Sequence, residues 1–159
     1  MKRVLVRSVY DAFAYVMEHY YPHGLQDRAE RLDRYAVISI QDTHTGGFGI
    51  RFTESVTCQD VLTLYFDDID REIEGLQLFS EEQAEQIIRF IRKNKSAETL
   101  LIHCYAGESR SRAVGAFAME MLGGSSERLF STGNPNRHVY DTLKRVYQRE
   151  TAKLLDAIL

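Results

Sequence analysis

The chain has 159 residues, 44% of them apolar and 27% charged, with a formal net charge of -3. That length suits a single domain around one core. The charge offers no concentrated basic face for nucleic acid, and no apolar run approaches the ~20 residues of a membrane-spanning helix. The opening MKRVLVRSVYDAF has no uninterrupted apolar stretch and no small-residue cleavage site, so a secretion signal is not expected. The two cysteines, Cys58 and Cys104, lack zinc spacing, and free thiols suit a reducing compartment, which makes the cytoplasm the expected location.

Short β-branched runs alternate with helical periodicity, the pattern of an α/β layered fold. Val4–Val6 reads as a first strand, and residues 10–20 as a helix. Tyr35–Ile40, Val61–Phe66 and Thr99–His103 read as three further strands. Between the last two, Ser80 and Gln83 form a capping-box pattern. Ala84, Ile87, Ile88 and Ile91 then fall on one helical face, and Lys93 and Lys95 suit its carboxyl end. Another helix is expected from 109–112 to Met121, stopped by Gly123 and Gly124. A last helix should follow Pro135, a residue suited to a helix start, and run to about residue 157. The expectation is therefore a central, mostly parallel sheet of four to five strands flanked by helices.

Strand, helix and strand over 61–103 form a βαβ unit, so the two strands run parallel and end on one edge of the sheet. Asp67 and Asp68 leave one strand there and Cys104 the other. Ligands of open α/β sheets bind at that edge.

Residues 99–112 read TLLIHCYAGESRSR. A buried strand ends at His103-Cys104, a short polar loop follows, and a helix opens near Arg110. The loop amides and the free donors at the helix start make an anion cradle. Gly107 lets the backbone turn where a side chain would obstruct it. Arg110 supplies a planar fork for two phosphate oxygens. The same positive surroundings favour the thiolate of Cys104, which is the nucleophilic form. A buried apolar thiol and a surface arginine are the plainer alternative, but spacing, loop composition and place in the fold all agree on the cradle.

The spacing His-Cys-x5-Arg-Ser, with Gly107 third after the cysteine, resembles the signature loop of the protein tyrosine and dual-specificity phosphatases. The closest fit is to the compact dual-specificity-like phosphatases, over roughly residues 35–145. The resemblance implies one dual-specificity-like phosphatase domain across residues 1–159, a phosphotyrosine-phosphatase-like fold and a phosphocysteine intermediate. It makes Cys104 the nucleophile, Arg110 the phosphate-binding arginine, Ser111 the hydroxyl that assists the thiolate as leaving group, and His103 the histidine that positions the cysteine. Tyr105, Ala106, Gly107, Glu108, Ser109 and Arg110 become the phosphate loop. The FDD run at 66–68 resembles that of the phosphatases of regenerating liver, which assigns the general acid to Asp68. The residues themselves leave Asp67 and Asp70 open, or a capping role for either member of the pair. No cofactor and no metal are implied. The expected partner is a phosphorylated protein, phosphotyrosine first, with neither nucleic acid nor membrane.

Glu108 departs from the family pattern. Phosphatases of inositol lipids gain from a lysine at this position, and a carboxylate repels a polyanion; alternatively Glu108 points outward and pairs with Arg112. Gly46, Gly47 and Gly49 form either a pocket wall or a surface connection. Asn134 or Asn136 resembles the asparagine that braces the phosphate loop, or else starts a helix. Arg137 and His138 are candidates for the mouth. Cys58 should lie at the far sheet edge, ~15–20 Å away, as a structural thiol. His19, His23, His44 and His138 lack ligand spacing. The rival functions are a sulfurtransferase or arsenate-reductase type of thiol enzyme, and a phosphate-binding module with weak turnover.

Overall fold

Two segments, YAVISIQ and TLLIHC, are buried at every position, as expected of strands covered on both faces. RVLVRS and CQDVLTLY are only partly buried, which suits the flanks. The computed structural model describes residues 1–24 and 33–159 and arranges these segments accordingly. Its strands are β1 (Arg3–Ser8), β2 (Tyr35–Gln41), β3 (Cys58–Tyr65) and β4 (Thr99–Cys104), and its helices are α1 (Val9–Tyr20), α2 (Glu81–Lys93), α3 (Arg110–Met121), α4 (Glu127–Ser131) and α5 (Arg137–Ile158). The four strands are all parallel, in the order β1-β4-β2-β3. This is the lower end of the expected strand count, with no antiparallel member among the described residues.

Alternation sends Ala36, Ile38 and Ile40 of β2, with Leu100 and Ile102 of β4, into a core shared with α2, α3 and α5. Tyr35, Val37 and Leu101 face the other way and pack against Ala12, Val16 and Tyr20 of α1. On that second face, the connection after β2 lies against β2 and β3, where Phe52 packs on the smaller core.

The structure adjusts several expected boundaries. β3 begins at Cys58, and Phe66 lies just beyond its end. β3 and β4 run parallel as expected, with β2 between them. The Ser80–Gln83 capping box is present, with both reciprocal bonds formed. The last helix follows Pro135 as expected: Asn136 caps α5 by accepting from the Val139 amide, and Pro135 stands directly before the cap. The short helix α4 was not expected; five residues give too little periodicity to read.

Cys58 pairs in register with Tyr35, which is level with Thr99 at the start of β4. Five residues of strand rise therefore separate Cys58 from Cys104 along the sheet, roughly 16 Å, which no disulfide spans. Cys58 is fully buried, and burial pushes its thiol up to about 11.

Candidate active site

Cys104 closes β4 at the carboxyl edge of the sheet and is only 3% exposed. Its Sγ accepts from the Gly107 amide at 3.2 Å and lies 3.1 Å from Ser111 Oγ. The chain between curls over the sulfur. Gly107 has φ +73°, and a Cβ there would sit 2.5 Å from the Ser8 nitrogen and 2.6 Å from the Arg7 carbonyl carbon. Only glycine satisfies both the turn and this close approach. The same junction is tied again where the Val9 amide donates to Tyr105 O at 3.1 Å. Tyr105, Ala106 and Glu108 face outward, and the Tyr105 ring rests 5.3 Å from Phe48 and 6.4 Å, edge-on, from Tyr10.

Arg110 opens α3 and is buried, 6% exposed. Its Nη1 donates to Asp42 Oδ1 at 2.6 Å and to the Phe66 carbonyl at 2.8 Å. Both partners sit at the same sheet edge, Asp42 directly after β2 and Phe66 directly after β3. Nε is buried and has no hydrogen-bond partner among the described residues. Because the guanidinium is planar, anchoring Nη1 leaves the edge made by Nε and Nη2 as an open side-on fork.

His103 stands beneath the loop, fully buried. Burial drives its imidazole down to about 4, and the nearby Arg110 charge pushes the same way against the bond to Cys104 O. The ring is therefore neutral near pH 7. Its Nδ1–H donates to the Cys104 carbonyl at 3.2 Å, so Nε2 accepts, and Ser39 Oγ–H donates to it at 2.6 Å. Ser39 in turn accepts from Gln41 Nε2 at 2.9 Å, and Gln41 Oε1 accepts from the Phe48 amide at 2.9 Å. A single polarity runs along this chain from the loop at Phe48 to the backbone of the cysteine.

The neighbouring aspartates have separate surroundings. Asp67 is 3% exposed. It accepts from the Thr43 amide and hydroxyl, from His44 Nδ1 and from the Gln77 amide. Burial alone would raise its carboxyl, but the Thr43, Gln77 and His44 bonds outweigh it and hold the group below the usual carboxylate range. Asp67 thus pins the segment after β3 to the segment after β2. Asp68 is exposed, and its Oδ1 accepts from Ser109 Oγ at 2.8 Å and from Asn136 Nδ2 at 2.9 Å. Asp70 is exposed beside them and lines the same open cleft, together with Asp68, Ser109 and Arg137.

Asn136 serves both roles foreseen for it: it caps α5, and its amide nitrogen donates to Ser109 O at 3.1 Å, bracing the loop. Asn134 is exposed and makes neither contact. Arg137 lies over the Phe130 and Tyr140 rings at the cleft margin, whereas His138 bonds Phe79 O behind it. Gly46, Gly47 and Gly49 line a cleft of about 400 Å³ over β2 and β3, bordered by Phe48 and Phe52. The pairing foreseen between Glu108 and Arg112 is not made: Arg112 Nη1 turns to Leu129 O and Thr132 Oγ1, because α4 places those acceptors closer. His19 meets Asp33 and His44 meets Asp67. Among the described residues, no group of three or more His, Cys, Asp or Glu side chains is arranged to hold a metal, and no helix is long and apolar enough to cross a membrane.

Asp42, Ser39 and Gln41 are the site residues that sequence reasoning missed. The strand-end segment ISIQD carries all three, and its alternating polar positions next to a predicted sheet edge were the available signal.

No protein-family model matches the sequence, and no curated protein matches it. Solved structures do. A crystal structure of PTPMT1 in complex with PI(5)P aligns at a TM-score of 0.57 with 14% identity, over 95% of this chain and 94% of that one. PTPMT1 in a second crystal structure gives 0.52 with 14% identity, over 96% and 94%. Human DUSP28 gives 0.48 with 14% identity, over 94% of both chains. At these identities the likeness speaks for architecture, and it spans nearly the whole chain. The chain shares its fold with the PTPMT1 structures: an all-parallel four-stranded sheet flanked by helices.

Proposed function

We propose that the protein is a phosphomonoester hydrolase that works through a phosphocysteine intermediate. The observation that carries this reading is the pairing of Cys104 with Arg110. A buried sulfur that accepts a loop amide stands in one short loop with a buried guanidinium whose Nη1 is locked and whose Nε has no hydrogen-bond partner among the described residues. A tetrahedral oxyanion is the ligand that satisfies such a fork and the loop amides together.

In this mechanism Cys104 Sγ attacks phosphorus, and the P–O bond to the leaving group breaks. Arg110 and the amides of 105–110 hold the equatorial oxygens. Asp68 protonates the departing oxygen and then, as a carboxylate, takes a proton from the water that cleaves the S–P bond. Ser111 Oγ, 3.1 Å from the sulfur, stabilises the thiolate as it leaves. The firm tethering of Asp67 and the exposed position of Asp68 beside Ser109 support giving the acid role to Asp68.

Phosphotyrosine in a protein is the proposed substrate. The rim formed by Tyr105, Phe48 and Tyr10 suits an aromatic leaving group, and the exposed Glu108 on the loop disfavours polyanionic headgroups. The two free thiols suit a reducing, cytoplasmic setting. Hydrolysis of p-nitrophenyl phosphate tests the reading. The wild type should turn over and be inhibited by vanadate but not by EDTA, and Cys104→Ser should be inert. Activity that survives this substitution sinks the assignment.

A further inference from the structure

Six of the described arginines meet a carboxylate: Arg3 meets Asp33, Arg92 meets Glu150, Arg110 meets Asp42, Arg137 meets Asp141, and Arg145 and Arg149 meet Glu81. Three of those that do not are brought together in one place. Arg7 of β1, Arg112 of α3 and Arg128 of α4 border one cavity of about 350 Å³, and among the described residues none of them has an ion-pair partner. The cavity lies along the outer edge of β1, which is the edge strand of the sheet, and Val4, Val6 and Met119 contribute its apolar wall.

Arg7 and Arg112 are held in place by neutral acceptors. Arg7 Nη1 donates to Val6 O at 2.9 Å. Arg112 Nη1 donates to Leu129 O at 3.3 Å and to Thr132 Oγ1 at 2.9 Å. Arg112 Nε is buried with no hydrogen-bond partner among the described residues. The Arg112 side chain crosses Gly133 so closely that a Cβ there would lie 2.5 Å from Nε and 2.7 Å from Cζ. Glycine at 133 thus clears the space that the guanidinium occupies. No carboxylate lines this cavity, and Glu108 borders a different cleft that shares Arg112 and Thr132 with it.

We propose that this cavity is an anion-binding site, separate from the Cys104 loop, for a small polyanion carrying phosphoryl or carboxylate groups. Three guanidiniums border one cavity whose lining holds no carboxylate, which leaves a local positive charge uncompensated. Planar forks pair two oxygens at a time, so a ligand with several charged oxygens engages more than one of them. Arg7, which lines this cavity, also packs its backbone against Gly107, so the cavity adjoins the strand that backs the Cys104 loop. The inference stands on these arginines alone and does not depend on the phosphatase reading.

The test is a titration of the full chain with pyrophosphate, and separately with citrate, followed through the NMR signals of the arginine Nε–H groups. The expected result is saturable movement of the Arg7, Arg112 and Arg128 signals that persists in Arg110→Gln. In Arg7→Gln/Arg128→Gln the affinity should weaken about tenfold or more. Arg128→Gln alone, at an exposed position, should weaken it while leaving the fold intact. Saturation by pyrophosphate only identifies a phosphoryl ligand, and saturation by both probes identifies a general polyanion site. A linear drift with either probe, or loss of the response in Arg110→Gln, overturns the proposal. The hydrolysis assay with Cys104→Ser reports on the other reading and leaves this titration unaffected.

Discussion

Asp42 Oδ1 and Arg110 Nη1 meet at 2.6 Å beneath the phosphate loop, although 68 residues separate them in the chain. The carboxylate holds one corner of the guanidinium and so turns the opposite edge into a fixed fork. Truncating Asp42 leaves a buried cation without its counter-charge, the costly way to break such a pair. Asp42→Ala should lower kcat/KM for p-nitrophenyl phosphate about a hundredfold, equivalent to about 2.7 kcal/mol. It should also weaken tungstate binding measured by calorimetry. Unchanged oxyanion affinity would mean that Arg110 needs no such anchor.

Ser39 is the register partner of His103 across β2 and β4, and its hydroxyl keeps Nε2 of that ring an acceptor. Ser39→Ala leaves a buried ring nitrogen unpaired, at a cost of about 1–3 kcal/mol. The orientation of Cys104 should loosen with it. The check is the pH dependence of Cys104 alkylation by iodoacetamide: displaced in Ser39→Ala and restored in Ser39→Thr, which keeps the hydroxyl. A profile identical to wild type in Ser39→Ala would reduce Ser39 to packing.

The two adjacent aspartates should separate cleanly by experiment. Asp68→Asn should slow hydrolysis of phenyl phosphate, a poor leaving group, about a hundredfold or more, while p-nitrophenyl phosphate suffers far less. Asp67→Asn should leave that leaving-group dependence alone and instead lower the urea midpoint. Its carboxyl titrates below the usual range in the fold, so its stabilising effect is full above 3.8 and is lost as pH falls through the folded value. Equal leaving-group effects in both variants would contradict this division.

His103 sets a second pH window. The unfolded chain protonates this ring near 6.5 and the folded chain only near 4, so between those values the unfolded state binds the extra proton. Stability should therefore be full above about pH 6.5 and decline as pH falls toward 4, by up to about 3 kcal/mol from this group. Denaturation midpoints from pH 7 to 4.5 should slope less steeply in His103→Gln. Parallel slopes would show that the ring is not held neutral.

The turn from Cys104 to Ser111 was legible in the sequence as a strand–loop–helix junction because its parts are local. One strand, five residues and one helix start bring Cys104, Gly107, Arg110 and Ser111 together whatever the rest of the sheet does. The supports were not legible for the opposite reason. Ser39 reaches His103, and Asp42 reaches Arg110, only because β2 enters the sheet beside β4, and strand order leaves no trace in local periodicity. The dual use of Asn136 has the same origin: capping α5 is a local property, whereas the bond to Ser109 depends on where α5 docks. The Asp67–Asp68 pair falls between these cases. Sequence placed both at the correct edge, but which one faces inward depends on the Thr43, His44 and Gln77 donors brought by distant segments.

A Cβ at Gly107 would lie 2.5 Å from the Ser8 nitrogen, so the opening strand backs a loop that comes about a hundred residues later. Residues 7 and 8 form the rear wall against which the sulfur-bearing turn is moulded, so the turn cannot reach its final shape until the opening strand has docked. Trimming that strand would distort the Cys104 turn from behind, without touching any residue near 104.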